Sequence, residues 1–125
     1  MRKQYHFRES SRGLLAWDVD RLVELSRDFP KTLIPLAEIA ELDENYWFPV
    51  GQNPPTCRAI AEHIQLIEEA NLAYPIILDS SGRVFDGMHR VVKALLEDRD
   101  AIDAVRFTCD PEPDHVDCGP NELSY

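Results

Sequence analysis

The sequence has little cysteine, no long apolar run and an excess of acidic over basic residues. Its three cysteines, Cys57, Cys109 and Cys118, are an odd and sparse set, which argues against the disulfide framework of a small secreted domain. We therefore expect reduced thiols. The first eight residues, MRKQYHFR, lack the apolar core of a secretory signal, and apolar runs elsewhere span only a few residues. A soluble, cytoplasmic protein without membrane association is expected.

The shortage of cations limits the partners that the chain can bind. There are 13 Lys and Arg residues against 23 Asp and Glu residues, which gives a formal net charge of −10. Because each nonspecific contact to a phosphate backbone or an anionic lipid needs a cation, nucleic acid and membrane surfaces are disfavoured as partners. A phosphorylated small molecule needs only a local cation, so it is not excluded by the net charge.

The 125 residues suffice for one compact domain with flanking segments. A hydrophobic fraction of 44% is ordinary for a globular chain and excludes disorder throughout. Four cations against one Glu give residues 1–12 a net charge of +3, whereas residues 108–125 carry five acidic residues and no Lys or Arg. We interpret residues 1–31 as an N-terminal arm and helix, 32–107 as the domain, and 108–125 as an acidic tail.

Apolar periodicity predicts an α+β fold in which helices pack on a small mixed sheet. Helices are predicted at Asp18–Phe29, at Thr56–Ala70 and from Met88 or His89 to Asp98. Short strands are predicted at 32–36, 74–78, 83–86 and 104–107, with the middle two forming a hairpin and Pro35 at a sheet edge. The stripes expected to be buried are Ile60, Ile64 and Ile67 on the second helix, and Met88, Val91, Val92, Leu95 and Leu96 on the third.

The segment Asp86-Gly87-Met88-His89-Arg90 at a strand-to-helix junction has the outline of an anion site. A glycine there allows a sharp turn and close approach of a ligand, and the first amides of the helix lack partners. Arg90 can bind phosphate with two donors, and His89 can donate a hydrogen bond or move a proton. Because cations at a helix N-terminus are unfavourable alone, the pair predicts a compensating anion. An Arg on the first turn that is merely solvated is the alternative.

This segment, together with Pro75-Ile76-Ile77-Leu78 and the turn Ser81-Gly82-Arg83-Val84, resembles the ParB/sulfiredoxin superfamily. The resemblance extends upstream to Ile34-Pro35-Leu36-Ala37-Glu38-Ile39 and covers roughly residues 32–107. It implies a ParB/sulfiredoxin-like fold and a box that binds nucleotide phosphates, ATP or CTP with Mg²⁺. Carried over by position, Gly87, His89 and Arg90 would be the phosphate binders.

The chain departs from this family at two points. Sulfiredoxins carry their catalytic cysteine between the glycine and the histidine of the box, where this chain has Met88, a thioether that cannot form a thiolate. Sulfiredoxin chemistry is therefore excluded at this position. ParB proteins of chromosome partitioning add a helix-turn-helix, and no such module is recognisable in residues 108–125.

Each of the remaining candidate residues has a structural interpretation as well as a functional one. Asp86 is a candidate ligand of Mg²⁺ or a candidate base, and together with His89 it forms the candidate catalytic pair. The structural alternative is that Asp86 only caps the helix. Thr56 and Arg58 are predicted to line the opposite side of the pocket. The structural alternative is that Thr56 only caps the helix and that Arg58 is a solvated cation. The aromatic loop, residues 46–48 (Tyr46, Trp47, Phe48), is suited to stack on a base, to fold over the core or to meet a protein partner.

No metal site is expected. Cys109, His115 and Cys118 are spaced Cys-x5-His-x2-Cys, which lacks the paired short spacings of structural zinc sites. The leading hypothesis is a domain that binds a nucleotide or another phosphorylated ligand, as a phosphotransferase or nucleotide hydrolase. The alternative is a noncatalytic module that binds a protein partner and keeps the fold without the chemistry.

Overall fold

A computed structural model describes residues 4–49 and 54–117, which form an α+β fold with three helices. The helices are α1 (Val19–Ser26), α2 (Cys57–Glu69) and α3 (Met88–Leu96). All three were predicted, and two begin at side-chain caps, since Asp18 accepts from the Asp20 amide at 2.9 Å and Thr56 from the Ala59 amide at 3.1 Å. Two short 3-10 turns, Leu36–Glu38 and Ala40–Asp43, lie between α1 and α2.

Within the described ranges, seven strands form two sheets. They are β1 (Tyr5–Ser10), β2 (Gly13–Asp18), β3 (Thr32–Pro35), β4 (Ile76–Leu78), β5 (Val84–Asp86), β6 (Ala101–Arg106) and β7 (His115–Val116). The larger sheet has the order β3-β6-β4-β5, with β4 and β6 parallel and the other pairs antiparallel. This arrangement confirms the predicted mixed sheet, the β4–β5 hairpin and the edge position of Pro35. The smaller sheet is antiparallel, in the order β1-β2-β7.

The larger sheet is covered on both faces, which explains why its strand β4, Ile76–Leu78, is apolar throughout. Ile76 and Leu78 of β4 pack on one side with Met88 and Val91 of α3, whereas Ile77 packs on the other side. That second side is filled by residues of the small sheet, α1 and β6, namely Leu15, Trp17, Leu22, Val105 and Phe107 with Phe85 of β5. Alternate residues of a strand point to opposite faces, so one short apolar strand serves both layers.

The described parts of the predicted N-terminal arm and acidic tail, residues 4–31 and 108–117, take part in the fold. Residues 5–18 form the β1–β2 hairpin, and β7 pairs with β2 through Leu15 opposite Val116 and Ala16 opposite His115. The indole N–H of Trp17 donates to the carbonyl of Pro111 at 2.8 Å. The charge pattern suggested solvated ends, but the apolar residues of β2 need a cover, and the two terminal segments provide it.

The stripes predicted to be buried are partly wrong. On α2, Ile67 is buried, but Ile60 and Ile64 are 43% and 50% exposed. On α3, Met88 and Val91 are buried together with Ala94, whereas Leu95 and Leu96 are exposed. Apolar spacing therefore identified the helices correctly and their orientation only in part, because small and polar residues also face the neighbouring elements.

The three described helices are short. The longest, α2, has 13 residues, and no helix in the described ranges is long and apolar enough to cross a membrane.

Candidate functional site

The junction between β5 and α3 is shaped by Gly87. Its φ of 111° lies in the left-handed region, and a Cβ at this position would lie 2.7 Å from Cγ2 of Ile76 and 2.8 Å from Nη2 of Arg90. Only glycine fits both constraints. Because glycine has no side chain to cap a helix, no side-chain hydrogen bond caps the start of α3. The sequence analysis predicted this strand–glycine–helix geometry.

Arg90 is held beside the junction by a carboxylate of the same segment. Its Nη2 donates to Oδ2 of Asp86 at 3.0 Å and lies 3.4 Å from the carbonyl oxygen of Pro75. Its Nε is buried without a hydrogen-bond partner in the described structure. The ion pair is about four-fifths buried on both sides. The compensating anion predicted for this helix start is thus supplied by the chain itself, in the form of Asp86.

His89 is joined to His63 of α2. Nε2 of His89 lies 2.8 Å from Nδ1 of His63, so one ring donates and the other accepts. Burial, assisted by His63 and opposed by Asp86, lowers the pKa of His89 to about 4, and burial also lowers the pKa of His63. Both rings are therefore neutral at pH 7. His89 adds no positive charge to the helix start, and an imidazole with so low a pKa is a weak base at neutral pH.

Trp47 of the aromatic loop covers this imidazole pair. Its ring stacks on His63 at 4.4 Å and on His89 at 4.7 Å between centroids, with interplanar angles of 21° and 16°. Phe48 meets the edge of His63 at 5.3 Å. The sequence left three roles open for the aromatic loop: stacking on a base, folding over the core and contacting a protein partner. The structure shows the loop folded over the core. Tyr46, Trp47 and Phe48 are all half-buried.

A cleft of about 400 Å³ adjoins the stack, between the aromatic loop and the first turns of α2. Trp47, Phe48, Thr56 and His63 contribute to its walls. The hydroxyl of Thr56 caps α2, which is the structural alternative that the sequence offered for this residue. Arg58 is exposed and lies outside the described residues that line this cleft. Thr56 thus lines the same cleft as His63, which contacts His89, whereas Arg58 does not line this cleft.

The residues near the box do not form a magnesium cage. Asp86 has one oxygen engaged by Arg90, and the described ranges contain no group of three His, Cys, Asp or Glu side chains placed to hold a metal ion. Cys109 is an exposed free thiol, and Cys118 of the Cys-x5-His-x2-Cys spacing lies outside the described residues.

Sequence reasoning missed a network of buried charges behind the β4–β5 turn. Asp79 is 1% exposed and accepts from the amides of Ser81 and Arg83 at 2.9 and 2.8 Å and from Nη1 of Arg8 at 2.8 Å. Glu41 is also buried. The Asp-Ser-Ser-Gly turn was a signal for Asp79, since Asp side chains bind the backbone two residues on. Nothing in the sequence pattern indicated Glu41 or its link to the turn.

Comparison of the chain with protein-family models, curated proteins and solved structures finds no match in any of the three. The resemblance to the ParB/sulfiredoxin superfamily therefore stays a prediction from the residues of the box.

Proposed function

We propose that the chain binds a phosphate group of a nucleotide at the start of α3. The observation that carries the proposal is a helix of nine residues that begins at a left-handed glycine without a side-chain cap, with an arginine in its first turn. The uncapped amides and the helix dipole favour an anion at this point. The resemblance of the box to the ParB/sulfiredoxin superfamily gives the same site independent support.

Binding requires Arg90 to exchange partners. In the structure its guanidinium is paired with Asp86, so a phosphate must compete with that carboxylate for the same donors. The neutral imidazole of His89 can contribute a hydrogen bond but no charge. The cleft lined by Trp47, Phe48 and His63 offers aromatic side chains on which a nucleoside could stack. No step of hydrolysis or phosphate transfer is assigned, because Asp86 and His89 are both engaged within the chain.

Calorimetry with ATP and with CTP, each with and without Mg²⁺, tests this proposal. Arg90→Gln should weaken binding at least about tenfold, because one charge-assisted hydrogen bond is worth about 1.5–3 kcal/mol. Arg99→Gln is the matched control, since it removes an equal charge from an exposed arginine paired with Glu97. Asp86→Asn should tighten binding by releasing Arg90. Absence of heat with both the wild type and Asp86→Asn would exclude the nucleotide site.

A noncatalytic partner-binding module is the second candidate, and a specific observation favours it. The ionisable side chains of the box are engaged with one another or with His63, while α2 presents Ile60 and Ile64 to solvent. A binding assay with wild type and Ile64→Glu would identify partners lost by the variant. Partners recovered equally by both proteins would exclude this face of α2 as the interface.

A further inference from the structure

A second cleft lies apart from the start of α3, between the β1–β2 hairpin and the segment that follows the second 3-10 turn. It has a volume of about 220 Å³, and its walls include His6, Arg8, Glu41, Glu44, Tyr46 and Arg83. A smaller cleft of about 140 Å³ adjoins it, shares Glu41, Glu44 and Tyr46, and continues to the apolar side chains of Met88 and Val92. The pair of clefts therefore runs from a charged end to an apolar end.

The charged end contains a carboxylate oxygen without a partner. The side chain of Glu41 is 2% exposed, and its Oε2 accepts from the amide of Val84 at 2.6 Å and lies 3.4 Å from Nε of Arg83. Oε1 is buried and has no hydrogen-bond partner in the described structure. A buried acceptor that is left unpaired costs free energy, and the cost is larger for a charged group. Glu41 lines both clefts, so a ligand there could supply the missing donor.

The two arginines of the cleft do not make it a site for an anion. Arg8 is paired with buried Asp79 at 2.8 Å, and the two terminal nitrogens of Arg83 donate to the carboxylate of Glu44 at 2.9 and 2.6 Å. Burial lowers the pKa of His6 to about 4, so this ring is neutral at pH 7. The charged side chains in the walls are two arginines and two glutamates, which cancel, and Asp79 adds a negative charge behind them.

The chemistry of the walls favours an organic cation over a metal ion. A hard divalent cation needs several oxygen ligands, and no group of three ligating side chains occurs in the described part of the chain. An ammonium group needs fewer acceptors and is also attracted by aromatic faces, which Phe7 and Tyr46 bring to the same cleft. Its apolar substituent would fit the adjoining cleft beside Met88 and Val92.

We propose that these clefts bind a small primary ammonium compound, with an N–H group donating to Oε1 of Glu41 and an apolar substituent against Met88 and Val92. The charged end of this site shares no lining residue with the cleft proposed for the nucleoside, whereas its apolar end shares Trp47 and Phe48 with that cleft. The ammonium group would supply a hydrogen bond that Oε1 of Glu41 lacks.

The proposal is tested by following backbone amide NMR signals of the full chain during titration with benzylammonium, methylammonium and benzyltrimethylammonium. Benzylammonium should shift the Val84 and Tyr46 signals saturably. Methylammonium should bind more weakly because it lacks the apolar substituent, and benzyltrimethylammonium should bind at least about tenfold more weakly because it has no N–H donor. Magnesium chloride serves as the metal probe and should give no saturable shift.

Glu41→Gln replaces the orphan acceptor with a donor, while its carbonyl can still accept from Val84. It should weaken benzylammonium binding at least about tenfold. Glu97→Gln is the matched control, since it removes an equal charge from an exposed glutamate that lines neither cleft and leaves Glu41 intact, and it should change the affinity less than threefold. The proposal would be overturned if benzylammonium does not saturate the wild-type protein, or if it binds no better than benzyltrimethylammonium. Both of these outcomes are measured on the wild-type protein alone. Neither result depends on nucleotide binding.

Discussion

Gly87 is the residue on which the geometry of the α3 start depends most directly. Gly87→Ala should lower the free energy of unfolding by about 3 kcal/mol, because the added Cβ combines a left-handed backbone with contacts that are too close to Ile76. Gly82→Ala is the control. Gly82 also has a positive φ, but the nearest atom would be 3.7 Å from its Cβ, so we expect a loss of about 1 kcal/mol. Denaturant titration measures both, and equal losses would contradict the steric account.

His6 gives the protein a predicted dependence of stability on pH. Burial, with a contribution from Arg8, lowers its pKa from 6.5 to about 4 in the folded state. Between these two values the unfolded chain binds a proton that the folded chain does not, so stability falls as the pH drops through this window. A single group with this pKa shift contributes about 3 kcal/mol to the free energy of unfolding at pH 7, and this contribution is lost as the pH falls to 4.

The contribution of His6 is measured as the difference between wild type and His6→Gln in denaturant titrations from pH 7 to pH 4. Glutamine keeps an acceptor for Nε of Arg8, which lies 3.3 Å from Nε2 of His6. The variant should lose less stability over this range, with the remaining slope due to other groups such as His89. Parallel curves for the two proteins would show that His6 is protonated as readily in the folded as in the unfolded chain.

Local signals account for the residues that sequence analysis placed correctly. Asp18 and Thr56 were recognisable as caps because a cap and its amide lie two or three residues apart. Gly87 was recognisable because a glycine between a strand and a helix has few other uses. The contact between His63 and His89 spans 26 residues, and no short-range pattern encodes it. The orphan oxygen of Glu41 depends in the same way on residues far away in the sequence.

At the scale of the elements, α2 shows how much apolar periodicity can determine. The spacing of isoleucines identified the helix and its cap, but it gave equal weight to Ile60, Ile64 and Ile67. The described face toward the core passes through His63 and Ile67, because His63 meets the imidazole of His89 on α3. A polar residue that packs inward is invisible to a count of apolar positions.

The orientation of α2 predicts unequal effects for two similar substitutions. Ile67→Ala should cost about 2–4 kcal/mol of the free energy of unfolding, because Ile67 is buried against the core and its truncation leaves a cavity. Ile64→Ala should cost less than about 1 kcal/mol, since half of that residue is already exposed. Thermal or denaturant unfolding of the two variants tests this. Equal costs would indicate that Ile64 is covered in the isolated protein, which would contradict the exposed face of α2 on which the partner-binding hypothesis rests.

At the scale of the whole molecule, the sequence predicted the larger sheet and missed the smaller one. The β4–β5 hairpin and the strands β3 and β6 carry short apolar runs, so each was visible separately. The β1–β2 hairpin is local, with Ser10 opposite Gly13, but β7 pairs with β2 from about 100 residues away in the sequence. The net charges of the two ends suggested an arm and a tail, because charge can be counted from a sequence and distant strand pairing cannot.

Removal of residues 108–125 should therefore destabilise the whole fold. The hydrogen bonds by which the described part of this segment holds β2 and α1 include four to or from backbone groups of the segment: Trp17 to the Pro111 carbonyl, Arg21 to the Glu112 carbonyl, and the amides of Asp114 and Asp117 to the carbonyls of Ala16 and Leu14. At about 1 kcal/mol for each bond, we expect a loss of about 4 kcal/mol in the free energy of unfolding.

A chain shortened to residue 117 is the matched control for this deletion, because it retains all four hydrogen bonds and removes only residues 118–125. Trp17→Phe isolates one of these contacts, since it keeps an aromatic ring beside Phe85 and deletes the donor to Pro111. It should reproduce about a quarter of the loss. If the chain ending at residue 107 unfolds at the same denaturant concentration as the chain ending at residue 117, the segment is a solvated tail after all, and the cover over β2 contributes nothing to the stability of the fold.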